Sequence, residues 1–190
     1  DCAFNHGGEG AIYNLRNDGN SKSNALLNNT SVLLVSVAGS TYLTPEFADI
    51  NGDGLYDLFA GNGADGNIYY WQNTGTTTAP VFSLITAAYL SIPHSSLRGV
   101  PRFVDIDKDG DLDLFLGAGV GGAGTDGQLW YYQNTGTVVS AGWDAPVTNL
   151  TLAGGYIFPT FANMDGDVGA WGNGPAFWQN SGGVTLSTTN

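Results

Sequence analysis

The sequence contains internal repeats, and repetition at a fixed spacing restricts a chain to architectures that stack one structural unit. Three copies of one pattern can be aligned, and they occupy Pro45–Gly75, Pro101–Gly136 and, in shortened form, Pro159–Gly182. The equivalent residues Asp49, Asp105 and Asn163 give spacings of 56 and 58 residues. The chain is therefore expected to be a series of similar units.

A further, partial copy lies at the N-terminus. Asp1–Gly19 aligns without a gap on Asp57–Gly75, so the chain begins inside a repeat. We therefore divide residues 1–190 as one repeat domain with four segments. These are a partial unit with a linking strand at 1–44, a first full repeat at 45–100, a second at 101–158, and a degraded third at 159–190.

Each full copy predicts four β-strands. In the first copy these strands are Glu46–Ile50, Leu55–Ala60, Asn67–Gln72 and Val81–Ala87. Tyr, Trp, Phe, Ile and Val are frequent in these runs, and clusters of Gly, Asn and Asp separate them, as is typical of short strands joined by turns. No convincing amphipathic helix is present, so the predicted fold class is all-β with four-stranded antiparallel units.

Between the first and second predicted strands, two copies carry an acidic loop with oxygen-bearing side chains at alternate positions. Positions 1, 3, 5, 7 and 9 are Asp49, Asn51, Asp53, Leu55 and Asp57 in the first loop, and Asp105, Asp107, Asp109, Asp111 and Asp113 in the second loop. Four side chains and the main-chain carbonyl of position 7 can surround a hard cation that needs about six to eight oxygens. We therefore predict a calcium ion in each loop.

The remaining loop positions have predicted structural roles. Gly54 and Gly110 at position 6 permit the positive φ of a sharp turn. Ile50 and Ile106 are expected to point away from the cation and to anchor each loop in the core. Asp111 is expected to contribute only its carbonyl, and its side chain to be a surface charge.

Zinc sites and EF-hands are the other metal sites with which these loops can be compared. Zinc prefers His and Cys, and neither occurs in the loops. An EF-hand needs a bidentate Glu at position 12 and flanking helices, whereas Ala60 and Leu116 occupy that position and strands flank the loops. An acidic turn that binds no cation stays open as the structural alternative.

The third copy departs from the pattern. Asn163, Asp165 and Asp167 offer oxygen ligands, but Val168 replaces the glycine and Trp171 falls at position 9. We therefore expect a weak cation site or none in this copy.

The charge distribution supports a bound cation and excludes one class of partner. Ten of the 17 acidic residues lie in the two loops and at Asp165–Asp167, and the net charge is −12. Clustered acids repel one another, so a cation is the simplest compensation. The chain has five basic residues, whereas nucleic-acid binding requires a basic face. No apolar run approaches the ~18 residues of a membrane-spanning helix.

The pattern F-x-D-I-x-x-D-G-x-x-D-L-F at Phe47–Phe59 and Phe103–Phe115 resembles the FG-GAP/VCBS repeat family, which includes the propellers of integrin α chains. The resemblance implies β-propeller blades of four strands. It also implies calcium between the first two strands of each blade, at the loop positions given above. Family propellers commonly have about seven blades, and this chain has about three and a half.

The resemblance and the residues together predict an extracellular or cell-surface module without catalytic activity. Its expected roles are adhesion, protein or carbohydrate binding, or self-assembly, including assembly as a filament subunit. A fragment of a propeller-type extracellular hydrolase or lyase is the alternative. Against it, His6 and His94 lie in no nucleophile motif, and few basic residues are available for a catalytic site.

Three further expectations concern modification, aromatic residues and assembly. Asn28, Asn29 and Asn149 lie in N-x-S/T sequons and are candidate glycosylation sites. The aromatic runs Tyr69–Trp71, Trp130–Tyr132 and Phe177–Trp178 serve either packing between units or stacking on sugars. The partial first unit and the terminal run Val184–Thr188 predict unfinished sheets, which further blades of a longer chain or identical chains would complete.

Overall fold

The computed structural model describes residues 2–5, 10–17, 27–40, 42–91, 97–120, 127–152 and 157–161. Within these residues, the chain forms three antiparallel sheets and one short 3-10 turn, Tyr89–Ser91. The predicted all-β fold is confirmed. In this part of the chain no helix has the length and apolar character that crossing a bilayer requires.

The second sheet contains the first full repeat. Its strands β4, β5, β6 and β7 span Leu43–Ala48, Asp57–Asn62, Ile68–Asn73 and Phe82–Thr86, and they pair in chain order. The four predicted strands are thus confirmed, with small shifts at their ends. Ile50 and Leu55 lie in the acidic loop rather than in the strands, because the loop turns the chain between Ala48 and Asp57.

The third sheet repeats this arrangement, and the first sheet has one strand fewer. In the third sheet, β8, β9, β10 and β11 span Leu97–Val104, Asp113–Val120, Gly127–Tyr132 and Val147–Leu152. In the first sheet, β1, β2 and β3 span Cys2–Asn5, Ala11–Asn17 and Leu27–Ser36, and they pair in the order β1-β2-β3. The sequons of Asn28, Asn29 and Asn149 fall in β3 and β11, but these side chains lie outside the described part of the chain.

The hydrophobic core lies between the faces of successive sheets. Alternate residues of β5 point to opposite faces, as strand geometry requires. Leu58 and Ala60 pack against Ile12 and Val35 of the first sheet, whereas Phe59 packs toward the third sheet. Because both faces of β5 are covered, all six of its residues are buried. This face-to-face stacking is consistent with propeller-like blades.

Two glycines allow the backbones of neighbouring sheets to approach closely. Gly61 in β5 lies against the carbonyl of Gly99 in β8, and a Cβ at Gly61 would overlap that oxygen. Thr44 Oγ1 donates a hydrogen bond to the same carbonyl at 2.6 Å. Gly117 occupies the equivalent position in β9 and lies against the carbonyl of Ile157 in the same way. The step between sheets is therefore set by direct backbone contact.

Candidate metal centre

Both acidic loops connect the first two strands of a sheet and are closed by the same hydrogen bonds. Asp49 Oδ2 accepts a hydrogen bond from the Gly54 amide at 2.9 Å, and Asp105 Oδ2 accepts one from the Gly110 amide at 3.1 Å. Gly54 and Gly110 have φ values of +83° and +97°, which confirms the predicted turn. The apolar anchors are confirmed as well. Ile50 is buried in the core cluster that contains Phe59, and Ile106 packs against a second cluster that contains Phe115.

Position 4 of each loop also has a left-handed backbone, which the sequence did not reveal. Gly52 and Lys108 both have φ of +66°. A Cβ at Gly52 would lie 2.7 Å from the Val138 carbonyl oxygen and 2.9 Å from Val139 Cγ1. Val138 and Val139 form the tip of a turn in the following repeat, so the connection between β10 and β11 packs directly on the first loop. Glycine at this position therefore serves packing as well as φ.

The second loop brings three carboxylates together. Oxygen atoms of Asp105, Asp107 and Asp109 all lie within 4.8 Å of one another. Asp105 Oδ1 is buried and has no hydrogen-bond partner. A buried carboxylate oxygen without a partner is unfavourable, and a cation at the centre of the three acids would satisfy it. These residues therefore fit a calcium ion, whose ligands are oxygens.

The first loop carries less charge. Asn51 replaces the acid at position 3, so its carboxylates are Asp49, Asp53 and Asp57. The two oxygens of Asp49 accept hydrogen bonds from the amides of Asp53 and Gly54. Asn51 Nδ2 donates to Asp57 Oδ2 at 3.3 Å, which brings positions 3 and 9 together. The donor set suits the same cation, with weaker attraction than in the second loop.

The acid at position 9 is buried in both loops and is fixed by the third strand of its sheet. Asp57 Oδ1 accepts a hydrogen bond from the Asn73 amide at 2.8 Å, and Oδ2 accepts one from the Tyr70 hydroxyl at 2.9 Å. In the second loop, Asp113 Oδ1 accepts the Asn134 amide at 2.8 Å. The carboxylates of position 9 therefore tie each loop to the strand that follows it.

Sequence reasoning missed the asparagines of this network. Asn73 Oδ1 accepts hydrogen bonds from the amides of Gly75 and Val81, while its Nδ2 donates to the Tyr56 carbonyl at 3.3 Å. Asn134 makes the equivalent bonds in the next repeat. The sequence feature that could have revealed these asparagines is the Gln-Asn-Thr-Gly that recurs in both repeats. Its composition alone predicts only a turn.

Position 7 overturns one expectation. The side chain of Asp111 is only 5% exposed and therefore is not a surface charge. Its Oδ1 is buried without a hydrogen-bond partner, while its amide donates to Asp109 Oδ1 at 3.1 Å. Burial, together with the negative charge of Asp109, Asp107 and Asp105, raises the pKa of Asp111 to about 6. The leucine at this position of the first loop carries no such charge.

Comparison with known families agrees with this geometry. Residues 49–116 match the family model of the FG-GAP-like repeat. This segment is similar to an FG-GAP-like repeat. The match begins at position 1 of the first loop and ends in β9, so it contains both acidic loops. No curated protein and no solved structure matched the chain.

The third acidic segment of the sequence is not part of the matched FG-GAP-like residues. Asn163, Asp165 and Asp167 lie outside the described part of the structure, and so does the aromatic run Phe177–Trp178. The expectation of a weak site or none there stays a prediction.

The aromatic runs Tyr69–Trp71 and Trp130–Tyr132 serve packing. Tyr70 stacks on Phe59 with ring centroids 4.6 Å apart, and Tyr131 stacks on Phe115 at 4.7 Å. Trp71 and Trp130 are buried. Between the two alternatives for these runs, the contacts favour packing over stacking on sugars. Tyr56, which belongs to the first loop and to neither aromatic run, is 68% exposed.

The protein without bound metal is expected to become more stable as the pH falls from about 7.5 to about 5. Burial raises the pKa of Asp111 and of Asp113 from 3.8 to about 6. The folded state therefore binds more protons than the unfolded state in this window, so stability decreases as the pH rises through it. Thermal unfolding of protein stripped of metal, measured across this range, tests the prediction.

The matched control is Asp111→Asn, which removes one of the two groups and should flatten the dependence. Millimolar calcium should also flatten it, because a bound cation keeps the carboxylates ionised. A melting temperature that stays constant or falls on acidification of the metal-free protein would contradict the conclusion that burial raises the pKa of Asp111 and Asp113.

Proposed function

We propose that the chain is an extracellular, calcium-binding β-repeat module without catalytic activity, which acts in adhesion or in binding a protein or carbohydrate. The observation that carries this proposal is the second loop, where three carboxylates converge and one of them, Asp105, has a buried oxygen without a hydrogen-bond partner. Asp105, Asp107, Asp109 and Asp113 would hold the cation. The bound ion would neutralise the acids and fix the loop between its two strands.

Calcium is the proposed cation because of the ligand set. The ligand atoms offered by the two loops are carboxylate, amide and carbonyl oxygens, which calcium accepts at high and flexible coordination number. Magnesium requires stricter octahedral geometry and keeps several waters. For an extracellular module the expected dissociation constant is about 10⁻⁴–10⁻³ M.

The binding role is supported by a groove beside the first loop. A cavity of about 630 Å³ lies between the first and second sheets, and its lining includes Asn14, Leu34, Phe47, Tyr56 and Phe82. Amide groups and partly exposed rings suit a protein or carbohydrate surface. Leu84 and Ile85 on the outer strand β7 are more than half exposed and support self-association as a further role.

Calcium titration tests this function. We expect two binding events through the two loops, and each should stabilise the fold by roughly 0.4–1.4 kcal/mol at millimolar calcium, from the affinity range above. Isothermal titration calorimetry gives the number of sites, and thermal unfolding with and without a chelator gives the stabilisation. Sedimentation velocity of the same samples shows whether assembly depends on calcium.

The double variant Asp53→Ala with Asp109→Ala is the control. Both side chains are exposed, so their removal should abolish the calcium effect without lowering the stability of the metal-free protein. The proposal is wrong if the wild-type chain binds no calcium and its melting temperature is the same in chelator and in millimolar calcium.

A further inference from the structure

The two acidic loops, one in each full repeat, differ most in chemistry at position 7. This position is Leu55 in the first loop and Asp111 in the second loop. A main-chain carbonyl is available at both positions, so coordination through the carbonyl alone does not call for an acid at Asp111.

Asp111 is 5% exposed, and within the described residues its Oδ1 is buried without a hydrogen-bond partner. It belongs to the same loop as Asp105, Asp107 and Asp109, whose carboxylate oxygens lie within 4.8 Å of one another. A buried carboxylate beside three others destabilises a fold unless a positive charge compensates it. Asp105 Oδ1, at the same loop, is the other buried oxygen without a partner.

We infer that the carboxylate of Asp111 is a direct ligand of the cation in the second loop. The inference rests on the proposed function, because it assumes that this loop holds a cation. The second loop then offers five carboxylates, Asp105, Asp107, Asp109, Asp111 and Asp113, whereas the first offers three. Ligation by the Asp111 carboxylate replaces the expectation that only the main-chain carbonyl of this residue binds the cation.

Two consequences follow from the charge difference. The second loop binds calcium more tightly than the first, because ligand charge tunes calcium affinity. Compared with the first loop, the second loop also has a stronger preference for a trivalent cation of similar size over calcium. The reason is that Coulomb attraction grows with the charge of the ion as well as with that of the ligands. The two loops of one repeat pair would therefore fill at different calcium concentrations.

The test exchanges the residues at position 7. Asp111→Leu gives the second loop the residue of the first and keeps the main-chain carbonyl, and Leu55→Asp makes the reciprocal change. Each is measured with the other loop inactivated, by Asp53→Ala or by Asp109→Ala respectively. Calcium affinity is measured by calorimetry, and terbium(III) affinity by luminescence sensitised by the protein's own aromatic residues.

We expect Asp111→Leu to weaken calcium binding at the second loop by about tenfold or more and terbium binding by a larger factor. The metal-free variant should melt at a higher temperature than the wild type, because it lacks a buried unpaired acid. If leucine prevents folding, Asp111→Asn provides the same comparison with an isosteric neutral group. Leu55→Asp should narrow the affinity difference between the loops.

The outcomes separate the two proposals. A wild-type chain that binds no calcium overturns the proposed function. A wild-type chain that binds two calcium ions, with second-loop affinity unchanged in both Asp111→Leu and Asp111→Asn, overturns the inference alone.

Discussion

Gly61→Ala is expected to lower the free energy of unfolding by about 3 kcal/mol or more, which is at the upper end of the effects of overpacking. The new Cβ would overlap the Gly99 carbonyl oxygen and would lie 2.7 Å from the Gly99 carbonyl carbon. Both atoms belong to the backbone of β8, so no side-chain rotation relieves the clash. The second and third sheets would have to separate, and the buried residues between them would lose contact.

The same result is expected for Gly117→Ala, where the added Cβ would overlap the Ile157 carbonyl oxygen and lie 2.6 Å from Pro159 Cδ. Gly99→Ala is the matched control, because its Cβ would meet only a methyl group of Leu116, at 3.0 Å. Chemical denaturation of the three variants measures the difference. Equal stability of Gly61→Ala and Gly99→Ala would show that the sheets are not held at backbone contact.

Asp57→Ala and Asp113→Ala are expected to destabilise the chain by roughly 2–4 kcal/mol even when calcium is absent. In the first loop, the substitution leaves the Asn73 amide and the Tyr70 hydroxyl without their acceptor. In the second loop, it leaves the Asn134 and Ile106 amides without their acceptor. Each buried group without a partner costs about 1–3 kcal/mol. These aspartates thus have a structural role that does not depend on a cation.

Asp57→Asn separates the two roles. The amide oxygen can still accept the Asn73 amide, although the Tyr70 hydroxyl loses its acceptor. Metal-free stability should therefore fall less than in Asp57→Ala, while calcium affinity falls because a charged ligand is lost. Denaturation in chelator and calorimetry with calcium measure the two effects. If Asp57→Ala is as stable as the wild type in chelator, the hydrogen-bond network does not contribute to the fold.

Much of the fold could be predicted because its determinants are local. The determinants are the branched and aromatic residues of β5 and β6, the turn glycines Gly54 and Gly110, and the anchors Ile50 and Ile106, and all of them act within a few residues of the chain. The repeat then multiplies each local signal, since the same pattern appears twice at matching positions. Strand order within each sheet follows from short connections between neighbours.

The remaining features depend on neighbours that are distant in sequence. The carbonyl that meets Gly61 and the turn that packs on Gly52 arise only when two repeats come together. Tyr70 shows a different difficulty within one repeat, because its place in the strand indicates packing and gives no sign that its hydroxyl donates to Asp57. A pattern within one repeat cannot report a contact made by the next.

The packing of Val138 and Val139 on Gly52 has a consequence for the order of folding during synthesis. The first loop is covered by a turn that lies in the following repeat, so it cannot reach its final environment while that repeat is still inside the ribosome. The first repeat would therefore emerge with its acidic loop open, and the loop would be completed only when residues 138 and 139 of the second repeat have been translated.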